Sequence, residues 1–525
     1  MPETPVIMPE GGQQEANVNS PSLAYQAMEK MRELPRALMG GTQAMRKAGA
    51  KYLPQEPAET SMAWEIRVSR SVLYNAYRKA VQDLVGMVFS KPLTCKDETP
   101  DDLAEWCENI DLAGSDIHSF AKEVFTDAFY GVSYILVDFP RVAEGGTLDD
   151  ERKVGARPYC VHVKSEDLIG FKSQLINGVQ TLTEARIRET SVETSGPYSE
   201  KIVKRVRLLQ IIEKDGAQHC AFTAHQLEDA KDKDGKEIWT IMPELSGVMS
   251  IDFIPIVPIY TGRTDFMLGV PPLADLADLN ALHWRSSSDQ ENTLHFIRFP
   301  LLFGCGLGDD DSSVEIGPNH MIKASSPEAK LSYVEHTGAA VKSGKESLDD
   351  LESRMNRMAM EPTVVGKTGT ITATEKAIDT SEAHSTLQSW ALLLAGSLKL
   401  TLQYMGAWVG KAKAECGGVN VNTDYGLFMS GLELPQLLQA FQGGLLSKET
   451  VWNELKRRGL LADDFDPVEE AKLLEDDSRQ KPGPVAPGGS IVDKLLAAAG
   501  HGGTAEPGAP APGTSPIAPQ LGAPT

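Results

Sequence analysis

From Ser22 onward the chain repeats apolar positions at helical spacing. Leu23, Ala27, Met31 and Leu34 fall on one stripe, and Ser22 stands where a capping hydroxyl is wanted. A second helix is expected over 64–88, with Val68, Leu73, Tyr77, Leu84 and Val88 near one face and Lys91-Pro92 as its stop. The next helix, 101–110, takes Asp101 or Asp102 as cap and turns Leu103, Trp106 and Ile110 inward; another, 116–130, carries Phe120, Val124 and Phe125 up to Gly131. Then the period changes. Val132–Asp138 is a short apolar run bounded by turn residues, and further strands are expected near 159–163, 182–189, 203–213, 219–227, 237–242 and 254–260. Asn177-Gly178 and Asp234-Gly235 are the hairpin turns this spacing favours. Helices first and antiparallel strands afterwards predict an α+β platform.

Beyond the platform the pattern reads helix, compact insert, helix. The outgoing helix, about 272–299, would be roughly 40 Å long at 1.5 Å per residue, and Pro300 ends it. Its middle, Arg285–Thr293, runs R-S-S-S-D-Q-E-N-T and shows no apolar face, so it needs water or polar neighbours such as further copies of itself. The insert contains the acidic turn Asp309-Asp310-Asp311 and short strand candidates at 314–316, 320–323 and 331–334. The return helix, about 341–360, carries a narrow seam of Leu348, Leu351, Met355 and Met358. A loop without apolar periodicity, 361–374, precedes a third long helix from about 374 to 413 with a bend expected near Gly396 or Gly406. A strand at 419–427 should rejoin the platform sheet, and small helices are expected at 433–442, 447–458 and 467–478. The first twenty residues read as a disordered arm, and the Pro/Gly/Ala-rich stretch from 481 to 525 as a disordered tail.

With 525 residues the chain is long enough for several structural regions. Its six cysteines show no C-x-x-C pair and no zinc-site spacing, so they read as reduced thiols. The first twenty residues lack the basic and apolar regions of a signal peptide and no stretch approaches a membrane span; a cytosolic, soluble protein is expected. A formal charge of −22 argues against tight nucleic-acid binding, which needs clustered Lys and Arg. Taken alone this charge reads first as a device for solubility, with a surface past which a polyanion slides without sticking as the sharper option.

No enzyme motif survives inspection. Gly366-Lys367-Thr368 lacks the earlier glycine of a P-loop, and Lys367-Thr368-Gly369 lacks the S-x-x-K and S-D-N elements that accompany K-T-G in penicillin-recognising enzymes. The ten histidines form no H-E-x-x-H, and His283 and His295 lie over three helical turns apart, so packing or surface roles are expected for them. Asp309-Asp310-Asp311 has no EF-hand pattern and reads as a solvated turn, with a divalent cation as the sharper option. Lys201-I-V-K-R-V-R207 reads as an exposed strand face, with subunit salt bridges or an acidic partner as alternatives. On the return helix Lys342, Lys345, Arg354 and Arg357 alternate with Glu346, Asp349, Asp350 and Glu352 at spacings that allow pairing within or between helices. No catalytic, metal or cofactor site is expected.

The order of these segments resembles that of portal proteins of tailed bacteriophages, and two phrases look like that family: P-P-L-A-D-L-A-D-L-N-A-L-H-W at 271–284 and G-L-L-S-K-E-T-V-W-N-E-L at 444–455. The resemblance covers roughly 20–480. It implies an α+β ring subunit: a wing at 21–270, joined by the long bent helix and a strand at 375–430, a two-helix stem at 271–299 and 340–361, and a clip at 300–339. A tunnel loop at 362–374 and an α-helical crown at 431–480 complete it. It further implies a homo-oligomeric ring, by family habit of about twelve copies, at the capsid portal vertex, assembled in the host cytoplasm. The implied partners are the terminase large subunit, head-completion and adaptor proteins, major capsid and scaffold proteins, and double-stranded DNA passing weakly and without sequence preference. Lys367, Thr368 and Thr370 would then touch DNA from the tunnel loop, Lys342, Lys345, Arg354 and Arg357 would line the channel, and Asp309, Asp310 and Asp311 would sit on the docking clip. The alternative is another virion or scaffold-like oligomeric protein.

Overall fold

The Ser22 hydroxyl accepts the Tyr25 N–H at 3.2 Å and starts α1 (Leu23–Ala48), as the capping residue predicts. The computed structural model describes residues 17–140, 155–231, 235–298, 301–305, 328, 330–334, 339–359, 373–423, 433–457, 461, 465–466 and 468–473. The inward face of α1 differs from the expected stripe: Leu23 and Met31 are exposed, while Tyr25, Met28, Arg32, Pro35 and Leu38 are buried. Arg32 causes the change of phase. Its guanidinium is fully enclosed and donates to the Tyr130 carbonyl (3.0 Å) and the Ser165 carbonyl (2.6 Å), so a charged residue occupies the centre of the packed face.

The single helix expected over 64–88 is two helices, α2 (Ser61–Arg70) and α3 (Ala76–Val88). Ser71 leaves α2 in an extended conformation, and Asn75 caps α3 by accepting the Arg78 N–H at 2.9 Å. A two-residue strand β1 (Thr94–Cys95) precedes α4 (Asp101–Trp106), which is followed by a 3-10 turn at Cys107–Asn109. Pro100, not either aspartate, is the N-cap of α4. In α5 (Ile117–Ala128) Asp116 is the cap, accepting the Ser119 N–H at 2.8 Å, and Phe120, Val124 and Phe125 are buried as expected.

The platform holds two antiparallel sheets. The first has the order β3 (Tyr159–Val163), β2 (Val132–Asp138), β9 (Ile256–Tyr260), with β2 buried along its whole length. The second is a meander of β4 (Leu168–Ile176), β5 (Val179–Gly196), β6 (Ser199–Lys214), β7 (Ala217–Lys231) and β8 (Glu237–Val248). Strand β4 was not expected, and Asn177-Gly178, both at positive φ, turns it into β5 as the dipeptide predicts. Asp215-Gly216 makes the same turn between β6 and β7, whereas the Asp234-Gly235 turn lies partly outside the described residues.

Alternation along β2 builds the layers. Tyr134 and Leu136 pack with Leu182, Ala185, Ile187 and Leu209 of the five-stranded sheet, while Ile135 and Val137 join the helical core with α3 and α5. That core also takes in α6 (Ala274–Ile297), α7 (Ala339–Met358) and α8 (Ala373–Trp408). Short ladders pair β10 (Arg263–Asp265) with β11 (Leu268–Gly269) and β12 (Leu301–Cys305) with β13 (Lys330–Val334). α8 runs as one helix through Gly396 and ends just past Gly406, against which the Cys416 sulfur packs. Strand β14 (Val419–Asn420) pairs with β1 and, among the described residues, not with the platform sheets; 424–427 of the expected strand lie outside the described residues.

The chain divides into two compact units, Met1–Tyr425 and Gly426–Thr525. The second contains α9 (Glu433–Gln442), α10 (Lys448–Arg457) and a helical segment over 468–473, and in α10 Ser447 caps by accepting the Thr450 N–H at 3.1 Å. Among the described residues no helix is long and apolar enough to cross a membrane. The result is an α+β protein.

Candidate functional site

The feature that stands apart from the platform is the limb formed by α6 and α7. Antiparallel contacts set their register: Gln290 Nε2 donates to the Val341 carbonyl at 2.8 Å, and His283 Nε2 meets Glu352 Oε1 at 3.3 Å. A Cβ at Gly344 would sit 2.2 Å from Gln290 Oε1, so a larger residue there would displace the amide that bonds Val341. Strands β12 and β13 close the far end in an unbroken register from Leu301↔Val334 to Cys305↔Lys330.

Burial along α6 falls from root to tip. Leu276, Ala277, Asn280, Ala281, His283 and Trp284 are buried, whereas beyond Ser288 every described position is exposed or half-buried. Asn280 is fully enclosed; its amide donates to the Tyr74 carbonyl (2.8 Å) and accepts the Tyr77 N–H (3.0 Å), fixing the root to the α2–α3 connection.

The polar middle of α6 finds partners within its own chain. Ser288 Oγ lies 2.8 Å from Ser71 Oγ, and Asp289 Oδ1 accepts from Arg67 Nη1 at 3.3 Å. Arg67 is the centre of this clamp. It grips Glu59 with two bonds of 2.8 and 2.7 Å and also donates to the Pro54 carbonyl at 2.8 Å. The expectation that this stretch needs water or symmetry copies is therefore corrected for Ser288 and Gln290, which Ser71 and Val341 satisfy, whereas Asp289 meets Arg67 and stays exposed to water.

Lys342, Lys345, Arg354 and Arg357 are all exposed on α7. Lys342 lies 4.0 Å from Glu346, and Arg357 Nε donates to the Ser353 carbonyl at 3.3 Å. With Glu346, Asp349, Asp350 and Glu352 on the same helix, the four basic and four acidic side chains sum to zero. Such a surface offers phosphate only weak, scattered attraction. The seam of α7 is Leu351, Met355 and Ala359; Leu348 is half-buried, and Met358, expected in it, is exposed. Lys367, Thr368 and Thr370 lie outside the described residues, as do Asp309, Asp310 and Asp311.

Three of the four basic side chains of the Lys201–Arg207 strand face are paired inside the chain, and Lys204 is exposed. Lys201 bonds Asp229 (2.6 Å), Arg205 bonds Glu193, and Arg207 bonds Asp138 (2.6 Å) and Glu189 (2.7 Å).

A second polar cluster, not anticipated from sequence, surrounds His162. Its Nδ1 lies 3.1 Å from Glu123 Oε1, and its Nε2 lies 3.0 Å from Ser133 Oγ and 3.6 Å from Asp127 Oδ2. His162, Glu123 and Asp127 border a cavity of about 360 Å³ that also meets Arg36, Tyr130 and Lys164. The Ser–His–carboxylate order invites a nucleophilic reading, but Ser133 is fully enclosed in the central strand of its sheet, so no substrate carbonyl can reach its oxygen. The cluster is a positioning network between α5 and the first sheet.

Burial by itself would lower the His162 pKa, but hydrogen bonds and charges of Asp127 and Glu123 raise it above the ordinary imidazole value. For Asp127 burial pulls upward, and its bond to His162 prevails and holds it low. A raised folded-state His pKa gives stability that is complete below the unfolded value and lost as pH rises through the folded one; the lowered Asp127 gives stability lost as pH falls through its own. The melting temperature of the wild-type chain is thus expected to fall as pH rises from the ordinary imidazole value through the raised one, and His162→Gln to flatten that slope. Equal slopes for the two proteins would contradict the assignment.

Residues 272–409, which span the limb and α8, match a family described as a domain of unknown function (DUF4055). That is 138 of 525 positions, about a quarter of the chain. Among solved structures the chain is similar to one from the "Neck of empty GTA particle computed with C6 symmetry", with 13% identity and a TM-score of 0.39 over 73% of this chain and 89% of that one. No curated protein matches.

Proposed function

We propose that this chain is a non-enzymatic subunit of a portal-type ring at one capsid vertex of a tailed-phage particle. The supporting observation is the placement of the limb. An antiparallel helix pair capped by a two-stranded ladder stands between an α+β platform and a long helix, in the order that the sequence resemblance implies. The neutral, exposed charge pattern of α7 suits a wall past which duplex DNA moves, because each strong phosphate contact would add friction. In this reading about twelve copies form the ring. The clip side of the limb docks the terminase large subunit and later the head-completion and adaptor proteins, and the platform faces capsid and scaffold proteins. A separate motor hydrolyses ATP.

A second reading is another oligomeric virion or scaffold-like protein. The intrachain clamp on Ser288 and Asp289 favours it, since the limb's polar middle does not by itself demand symmetry copies. Negative-stain imaging of the purified full chain separates the two. A ring with a central hole is the expected result; a compact monomer at micromolar concentration overturns the ring, and open filaments or dimers support the second reading.

A further inference from the structure

The chain enters the platform across the five-stranded meander. Arg186 Nη1 donates to the Val18 carbonyl (3.2 Å) and the Ser20 carbonyl (2.7 Å), and Arg188 Nε donates to Asn19 Oδ1 (2.8 Å). The Ser22 N–H donates to the Ile169 carbonyl at 2.9 Å. Val18 packs on a small cluster of Tyr25, Ile169 and Val206, which Trp239 also joins. The described chain thus begins, at Asn17, already seated on one face of the sheet.

Strand register identifies the rest of that face. Val206 pairs with Arg188 and with His225, and His225 pairs with Ile241, so these four side chains form one row. Side chains alternate along a strand, so steps of two stay on the same face and bring in Trp239 opposite Leu227 and Val192 opposite Ile202. Val192, Ile202 and Ile241 are 62%, 65% and 51% exposed, with half-buried Trp239 and Leu227 among them. An uncovered apolar strip of this kind marks a contact surface. Lys204 stands exposed between Val206 and Ile202 and makes no ion pair among the described residues.

We propose that the chain's own N-terminal arm covers this strip, with Val6-Ile7-Met8 laid over Val192, Ile202 and Ile241. Reach and charge both select this occupant. Eleven positions separate Ile7 from the anchored Val18, enough for about 36 Å of extended chain. The target is closer. Ile202 lies four positions along β6 from Val206, about 13 Å, and Ile241 lies two strands across, about 10 Å. Pro9 biases Met8, the residue before it, towards the extended backbone that lies along a sheet. Residues 1–16 include three glutamates and no Lys or Arg, which complements Lys204. Glu10 and Glu15 fall between Met8 and Val18 in the sequence as Lys204 falls between Ile202 and Val206 on the strand, so an acid of the arm meets the lysine. This proposal does not depend on the assembly reading.

The full chain is made with p-benzoylphenylalanine in place of Ile7, irradiated, digested with trypsin and mapped by mass spectrometry. The expected link joins position 7 to a peptide of the same chain: 189–201, which holds Val192, 202–204, which holds Ile202, or 237–263, which holds Ile241. Ile202→Ser and Lys204→Glu should each lower the yield of that link several-fold while the melting temperature holds, because both side chains are exposed. Links that map elsewhere, the absence of any link, or a yield that neither substitution changes would overturn the proposal. Links found only between chains, seen as a doubled mass on a denaturing gel, overturn it as well and give the strip to a neighbouring copy.

Discussion

Replacing Arg67 with alanine is expected to destabilise the chain by about 3–5 kcal/mol, the range for removing one partner of a buried ion pair. Arg67 is 5% exposed and its partner Glu59 is 11% exposed while the two are paired, so the pair is largely shielded from water. The truncation leaves the half-buried Glu59 carboxylate without its two hydrogen bonds, removes the donor to Pro54 and frees the middle of α6. Asp289→Ala touches the same clamp from its solvent side. Because the Asp289 side chain is 62% exposed, screening limits its effect to below about 1 kcal/mol. Urea denaturation followed by circular dichroism measures both changes. Arg67→Ala within about 1 kcal/mol of wild type would mean that Arg67 is not the clamp.

That clamp marks where the sequence stops being informative. Arg285–Thr293 shows the absence of an apolar face correctly, and half of that reading holds: Arg285, Glu291 and Thr293 are exposed. The partners of Ser288 and Asp289 are Ser71 and Arg67, which lie 217 and 222 positions earlier in the chain. No local period can reveal a hydrogen bond across such a separation. The same limit explains α1. Helical spacing placed Leu23 and Met31 inside because a stripe calculation treats arginine as polar, whereas Arg32 is enclosed by carbonyls from Tyr130 and Ser165.

Local signals did better where local chemistry decides. Ser22, Asp116 and Asn177-Gly178 act as the cap and turn chemistry predicts, and β2 appears with the bounds its apolar run suggests. Strand β4 escaped because its burial alternates only weakly: its first three residues are enclosed and most of the rest face solvent. The break between α2 and α3 escaped because Leu73 and Tyr77 keep helical spacing across it, although the chain runs extended at Ser71. Of the candidate site residues, those on α7 are exposed, but the His162 network draws on elements that only folding brings together.

The gradient along α6 gives the second large prediction. Trp284 is 1% exposed in the helical core, so Trp284→Ala is expected to cost about 3–5 kcal/mol, the range for emptying a buried aromatic site. Trp284→Phe keeps a ring there, and the Nε1–H it removes meets no protein acceptor among the described residues; about 1–2 kcal/mol is expected. Phe296, three turns further out on the same helix, is 69% exposed and packs edge-on against His295. For Phe296→Ser the stability of the isolated chain should therefore stay within about 0.5 kcal/mol of wild type. The two sites thus separate folding from assembly on one helix. If the exposed half of the limb is a contact between copies, Phe296→Ser should lower the population of rings in negative-stain images while the melting temperature of the chain holds. Trp284→Ala should lower both. A Phe296→Ser protein that assembles as well as wild type would remove the tip of α6 from the interface, and one that melts as early as Trp284→Ala would show that the tip belongs to the core.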